Sequence, residues 1–346
     1  MKEKKKTAVV LSGGGAKGAY EAGALLTIAQ KLPEIHVMSG ASIGAINAAV
    51  FAWEYEQTGD IVKASEKLRS TWKELDDLFE VNFLRIALQA LCSYFRTRSP
   101  LNFSALVSNK KIKKKLDELI PKDLKISDFT RIELLINATS LTEGKSISFN
   151  RKNDANLHEA VLASSCLPLI FESQLIKGSF YVDGGVFNNT PLRDALEVGS
   201  TDVYVIELKP MSKDLYLETI QDPTDFRSIK NVGSRMIELI TDKIMYEDLK
   251  NAKRINDIIE VIQTLEHSGA NRRIIENLKK SIGYEKGSKL KRHVRFHEIA
   301  PTERLEPPGT LGFKDKEALE RIIRLGEEDA ENQLRDLTRG RRKRVS

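Results

Sequence analysis

Cysteine is scarce: Cys92 and Cys166 are the two in 346 residues. That excludes a disulfide scaffold and a four-cysteine zinc site, and makes a reducing, intracellular setting the expectation. Tryptophan is equally rare, and Trp53 and Trp72 read as core residues rather than a stacking platform. A membrane-spanning run is missing too. The stretch 35–53 contains no Asp, Glu, Lys or Arg, yet it holds His36, Ser39, Gly40, Ser42, Gly44 and Asn47. Two glycines four apart weaken a helix in its middle, so a strand, a sharp turn and a helix account for it better. No signal peptide is legible, because the apolar stretch Thr7–Leu11 breaks at once into Ser12-Gly13-Gly14-Gly15. Internal repeats and acidic loops with calcium-site spacing are also lacking. The expectation is a cytoplasmic, soluble chain with no metal and no cofactor.

What is present suits a folded core. The chain is 41% hydrophobic and 30% charged, too apolar for a disordered protein. Of the net +6, +3 lies in residues 2–6 and +5 in 339–344, which leaves −2 for 7–338. The body is therefore near neutral, and no nucleic-acid partner is expected. The two basic tails, 1–6 and 339–346, read as solvated and disordered, adding at most a weak attraction to an anionic membrane surface.

Thr7–Leu11 reads as a buried strand, residues 17–31 as a helix, Ile35–Ser39 as a second strand and Ile43 to Gln57 as a second helix. This β-α-β-α opening argues for a mostly parallel central sheet flanked by helices, an α/β architecture. Helices dominate 60–120, read as a helical insertion. Further strands are expected at 131–140, 146–150, 179–182, 202–208 and 293–299, and helices at 158–165, 226–265 and 314–337. With no clean linker, 7–335 reads as one domain.

Residues 12–18, Ser-Gly-Gly-Gly-Ala-Lys-Gly, lie between the first strand and helix. Consecutive glycines bring backbone N–H groups close to a ligand, and the helix dipole favours an anion there: a phosphate, or the oxyanion of an acyl transfer. Both nucleotide readings fare poorly. A dinucleotide site wants an acid at the end of the second strand, where Ser39-Gly40 stands, and a Walker loop wants Gly-Lys then Ser or Thr, whereas Lys17 precedes Gly18.

Gly40-Ala-Ser42-Ile-Gly44 follows a strand and precedes a helix, the context a nucleophile elbow requires. Its serine needs a base. The order Ser, acid, His is met by Asp183 with His267, His293 or His297, but none of these sits in a distinctive loop, and His36 and His158 precede Asp183. Asp183-Gly184-Gly185, closing a strand, offers another partner; alone, Asp-Gly is usually a turn.

The ordered set 13–18, 40–44 and 183–185 resembles the patatin-like phospholipases, and the likeness extends to Ala163–Phe171 and to Gly326–Ala330 near the end. Ser12 stands where many members have Asp, Ile43 is bulkier than usual and Cys166 replaces a common Ala. The resemblance implies a three-layer sandwich and a lipid acyl hydrolase working through a Ser-Asp dyad; no need for calcium arises, since no acidic loop with calcium-site spacing is present. Ser42 would be the nucleophile, Asp183 its base, and Gly13, Gly14 and Gly15 the oxyanion hole. Lys17, Gly18, Gly40, Gly44, Gly184 and Gly185 would support the motifs. The expected partner is a lipid or membrane-surface ester, with peripheral contact at a membrane. A Ser-His-Asp esterase, a phosphate-binding module and an adaptor acting through the tails are the other readings. Val81–Phe95 could face lipid or lie buried, and the lysines at 110–115 read as a solvated helix face.

Overall fold

A computed structural model describes residues 5–74, 108–168, 170–210, 229–269, 271–281, 293–305, 313 and 315–344. Eight strands form one sheet: β1 (Thr7–Leu11), β2 (Val37–Ala41), β3 (Glu133–Ser140), β4 (Lys145–Phe149), β5 (Gln174–Ile176), β6 (Ser179–Asp183), β7 (Asp202–Ile206) and β8 (Arg295–Ile299). Their order is β5-β6-β3-β2-β1-β7-β8, with β4 also paired to β3. The run β3-β2-β1-β7-β8 is parallel, β4 and β6 pair antiparallel with β3, and β5 pairs antiparallel with β6. β1 is buried along its whole length, which its unalternating Thr-Ala-Val-Val-Leu requires of a strand covered on both faces.

Nine described helices cover the sheet: α1 (Ala19–Lys31), α2 (Ile43–Thr58), α3 (Ile61–Glu74), α4 (Lys110–Leu119), α5 (Leu157–Ser165), α6 (Leu192–Glu197), α7 (Ile229–His267), α8 (Arg272–Ser281) and α9 (Lys316–Arg344). On one face Val9, Leu11, Met38 and Ile136 pack under α1, α2, α3, α5 and α9. On the other, Ala8, Val10, Val37, Leu135 and Val203 meet Leu192 and Ala195 of α6 and Leu249 of α7. The result is three layers. At the crossing of α1 and α9 the backbones touch, since a Cβ on Gly23 would lie 1.9 Å from the Ile323 carbonyl oxygen and one on Gly326 2.2 Å from that of Tyr20.

Most expected elements form, with instructive differences. β2 runs two residues further than expected, because Gly40 and Ala41 still pair with Ile136 and Asn137 of β3. The glycine loop enters α1 through a 3-10 turn at Gly15–Gly18. β5, α6 and α8 were not anticipated: the first two are three and six residues long, too short for a periodic signal. The closing helix continues to Arg344, taking in the basic run 339–344. α4 buries Ile112 and Leu116 while Lys110, Lys111, Lys113 and Lys114 face solvent, as the spacing predicts. Trp72 is core and Trp53 packs partly buried against it. Of the expected insertion, α3 and α4 are helical; the stretch 81–95 and Cys92 lie outside the described residues.

Candidate active site

Sheet topology brings two distant residues together. β3 pairs with β2 through Asn137 and with β6 from Ala138 onward, and β4 occupies its opposite edge. Parallel β2 and antiparallel β6 thus lie along one edge of β3 and run toward each other. β2 ends at Ala41 opposite Asn137, and β6 ends at Asp183 opposite Ala138. The next side chain after β2 is Ser42.

Ser42 turns the chain from β2 into α2 at φ 54°, a left-handed conformation that costs a non-glycine residue on the order of 1–3 kcal/mol. The neighbouring glycines make that turn feasible. A Cβ on Gly40 would lie 2.3 Å from the Gly44 carbonyl oxygen, and one on Gly44 2.6 Å from that of Leu11. The strained residue is held from behind: its N–H donates to Ser164 Oγ (2.9 Å), whose hydroxyl donates to the Asn137 carbonyl (2.6 Å).

Ser42 Oγ donates to Asp183 Oδ2 at 2.7 Å. The other carboxylate oxygen accepts from the Gly185 N–H at 2.8 Å, and the Asp183 N–H donates to the Cys166 carbonyl at 2.9 Å. Gly184 passes so close to β3 that a Cβ would sit 2.3 Å from the Asn137 oxygen. Asp183 is buried, and burial pushes its carboxyl up to about 6 against the lowering effect of the Ser42 and Gly185 hydrogen bonds.

The glycine loop lies over this pair, with a Cβ on Gly13 only 2.9 Å from Ser42 Cβ. Gly13 departs from the expected oxyanion role: its N–H donates to the Asn189 carbonyl (3.0 Å), and its own carbonyl accepts from Asn189 Nδ2 (3.2 Å). The N–H groups of Gly14 and Gly15 meet no acceptor among the described residues. Lys17 closes the turn by donating its N–H to the Gly14 carbonyl (3.3 Å). Gly18 packs on Ile43, whose bulk is thereby directed into the core beside Trp72. Ser12, fully buried, is tied to Thr190 Oγ1 (2.9 Å) and the Ile206 carbonyl (3.0 Å).

A buried polar chain fixes the loop to α2. Glu21 accepts from the Ser12 N–H (2.6 Å) and from Asn47 Nδ2 (2.8 Å), and Asn47 Oδ1 accepts from Trp72 Nε1 (2.9 Å). Burial holds the Glu21 carboxyl well above the usual range. Glu21→Ala would leave two buried donors unmatched, at about 1–3 kcal/mol each. Chemical denaturation should show a loss of roughly 2–6 kcal/mol.

No histidine reaches Ser42. His297 hydrogen-bonds Asp202 at 2.5 Å and stacks on Tyr204; burial works to raise Asp202, but His297 and Lys5 outweigh it and hold the carboxyl at about 2. His36 accepts from the Thr7 N–H, His158 bonds the Ile120 carbonyl, His267 bonds the Gln263 carbonyl, and His293 is exposed. The sequence reading missed Ser164, Asn137, Asn189, Glu21 and Asn47. Asn47 carried a signal, as a lone amide inside the apolar Ile43–Ala52 stretch.

Residues 9–196 match the patatin-like phospholipase family. The chain is 26% identical over 206 residues to patatin-like phospholipase domain-containing protein 7 of Mus musculus, covering 58% of this chain and 13% of the mouse protein. Among solved structures it is similar to VipD from Legionella pneumophila (TM-score 0.41, 14% identity, 96% of this chain and 67% of that one). It is also similar to human GIVD cytosolic phospholipase A2 (TM-score 0.45, 12% identity, 96% and 58%).

Proposed function

The chain belongs to the patatin-like phospholipase family, and from that premise we propose that it hydrolyses acyl esters of lipids with Ser42 as nucleophile and Asp183 as its direct base. The 2.7 Å hydrogen bond from Ser42 Oγ to a buried carboxylate, with no imidazole between, is the observation that supports this most directly. Asp183 takes the hydroxyl proton as Oγ attacks the ester carbonyl. The oxyanion of the tetrahedral intermediate is met by the Gly14 and Gly15 amides, Gly13 holding the loop in position through Asn189. Collapse passes the proton from Asp183 to the departing alcohol and leaves the acyl group on Ser42. Water, deprotonated by the same carboxylate, then releases the fatty acid.

A carboxyl near 6 is a stronger base than an ordinary aspartate and is still ionised at neutral pH. It works only as carboxylate, so kcat/KM for a soluble ester should rise with pH through about 6 and level off above. A flat profile from pH 5 to 8 would remove Asp183 as the base. Because amides meet the developing charge, chelating divalent cations should leave turnover unchanged. Fatty-acid release from a panel of phospholipid, lysophospholipid, neutral glyceride and acyl thioester tests the activity itself. Release from at least one is expected, and release from none overturns it.

A further inference from the structure

The end of α5 touches both halves of the dyad. Ser164 lies in its last turn and Cys166 caps it. Ser42 meets this end from β2, its N–H donating to Ser164 Oγ at 2.9 Å. Asp183 meets it from β6, its N–H donating to the Cys166 carbonyl at 2.9 Å. Two groups on one helix end thus carry a nucleophile and a base that stand 141 residues apart in the chain.

The direction of the first bond is fixed. Ser164 is fully buried and its one proton goes to the Asn137 carbonyl at 2.6 Å, which leaves its lone pairs for the Ser42 amide. That same carbonyl lies against Gly184, the residue after Asp183. Ser165 cannot take over the task. Its proton has the Val161 carbonyl at 2.8 Å, whereas the Ser42 carbonyl is 3.4 Å away. On the far side, Asn109 Nδ2 donates to the Glu172 carbonyl at 2.8 Å and reaches Cys166 Sγ at 3.4 Å, tying the segment to the start of α4.

Ser42 needs such a holder. At φ 54° its backbone is in a region that side-chain-bearing residues leave unless they are held there. A small rotation swings Oγ, and its 2.7 Å bond to Asp183 Oδ2 tolerates little change in distance or angle. The bond to Ser164 also takes the Ser42 amide out of the set that could meet an oxyanion, so its use is geometric.

From the Ser-Asp reading above, on which this rests, we infer that Ser164 is a positioning residue for the reaction. Locked by Asn137, it holds the strained Ser42 backbone so that Oγ meets Asp183, while the Cys166 carbonyl holds Asp183 in the same frame. Being fully buried, it acts through Ser42 and not on substrate. Without its oxygen, Ser42 Oγ drifts from the carboxylate. Asp183 then loses a hydrogen bond that lowers it and rises beyond about 6. The Cys166 thiol beside it, pushed up to about 12 by burial, stays neutral over that range and does not mask the change.

In the full chain, Ser164→Ala should lower kcat for a soluble ester on the order of 10–100-fold with KM held within about twofold, and move the rise of kcat/KM to higher pH. Carbon-13 NMR of the aspartate carboxyls, with the Asp183 signal assigned through Asp183→Asn, should show the same upward move without any turnover. Asn156→Ala is the control. It removes the cap on the Glu159 N–H at the other end of α5, and should lower stability while leaving kcat and both midpoints as in wild type. Ser164→Cys, which fills the same space with a poor acceptor, carries the same expectation if the alanine variant does not fold. A kcat within about twofold of wild type, or an Asp183 midpoint unmoved by loss of the Ser164 oxygen, overturns the inference. So does a midpoint that Asn156→Ala moves equally, since that would be a general loosening of α5. A wild-type chain that cleaves no ester sinks the catalytic reading, and the carboxyl titration still decides this one. Normal wild-type turnover with an unshifted Ser164→Ala titration sinks this one alone.

Discussion

Ser42→Ala is expected to lower kcat/KM for any acyl ester the protein cleaves by about 10⁴-fold or more, with the fold intact. The loss is large because every covalent step runs through one oxygen. Its neighbours could still bind substrate and polarise a carbonyl, which leaves a small residual rate over water. Stability should fall by no more than about 1–3 kcal/mol, because alanine removes one hydrogen bond at a half-buried position and leaves Asp183 Oδ2 without that donor. The φ of 54° remains strained for alanine, so relief of strain is not part of the expectation. Kinetics on a soluble ester with circular dichroism on the same preparations decides it. A rate within tenfold of wild type would mean that another group attacks.

Asp183→Asn should cost nearly as much activity, on the order of 10³–10⁴-fold, while making the protein more stable at alkaline pH. The activity loss follows from chemistry: an amide cannot accept the Ser42 proton. The stability gain follows from linkage. In the folded chain the Asp183 carboxyl sits near 6, above its ordinary value of 3.8, so the native state keeps a proton that the unfolded chain has already released. Stability contributed by that site is present below about pH 4 and declines as pH rises through about 6. At about 1.4 kcal/mol per pH unit, the buried charge costs the fold on the order of 3 kcal/mol at pH 8. The amide avoids this, and it can still accept from Gly185 and donate to Ser42 Oγ. Melting curves should therefore put the variant a few degrees above wild type at pH 8, with the gap closing toward pH 4. Equal activity, or a lower Tm at pH 8, would contradict this account of Asp183.

The architecture was legible in the sequence wherever burial is two-sided. Thr7–Leu11 and Asp202–Ile206 read as apolar runs because parallel strands under two helical layers have no solvent face. The elbow and the aspartate turn were legible as motifs because each needs glycines that steric contact then explains: Gly40 against Gly44, Gly184 against Asn137. What local pattern could not express was pairing at a distance. Nothing in the spacing of Ser42 and Asp183 says that β2 and β6 meet end to end along β3, since that is a property of three registers taken together. The same holds for Asn189, 176 residues from Gly13, whose carbonyl takes the amide that the motif assigns to an oxyanion. Glu21 was hidden for a different reason. A single acid in an apolar helix looks like a surface residue until Ser12 and Asn47 are brought against it.

Labelling with an alkyl fluorophosphonate, followed by peptide mapping of the phosphonylated residue, tests directly whether Ser42 is a nucleophile activated by Asp183 alone. One adduct per chain is expected on Ser42, formed at an unchanged rate when His297 or His293 is replaced and at least a hundredfold more slowly in Asp183→Asn. An adduct on any other residue, or a labelling rate that collapses with a histidine and survives the loss of the Asp183 carboxylate, would contradict it.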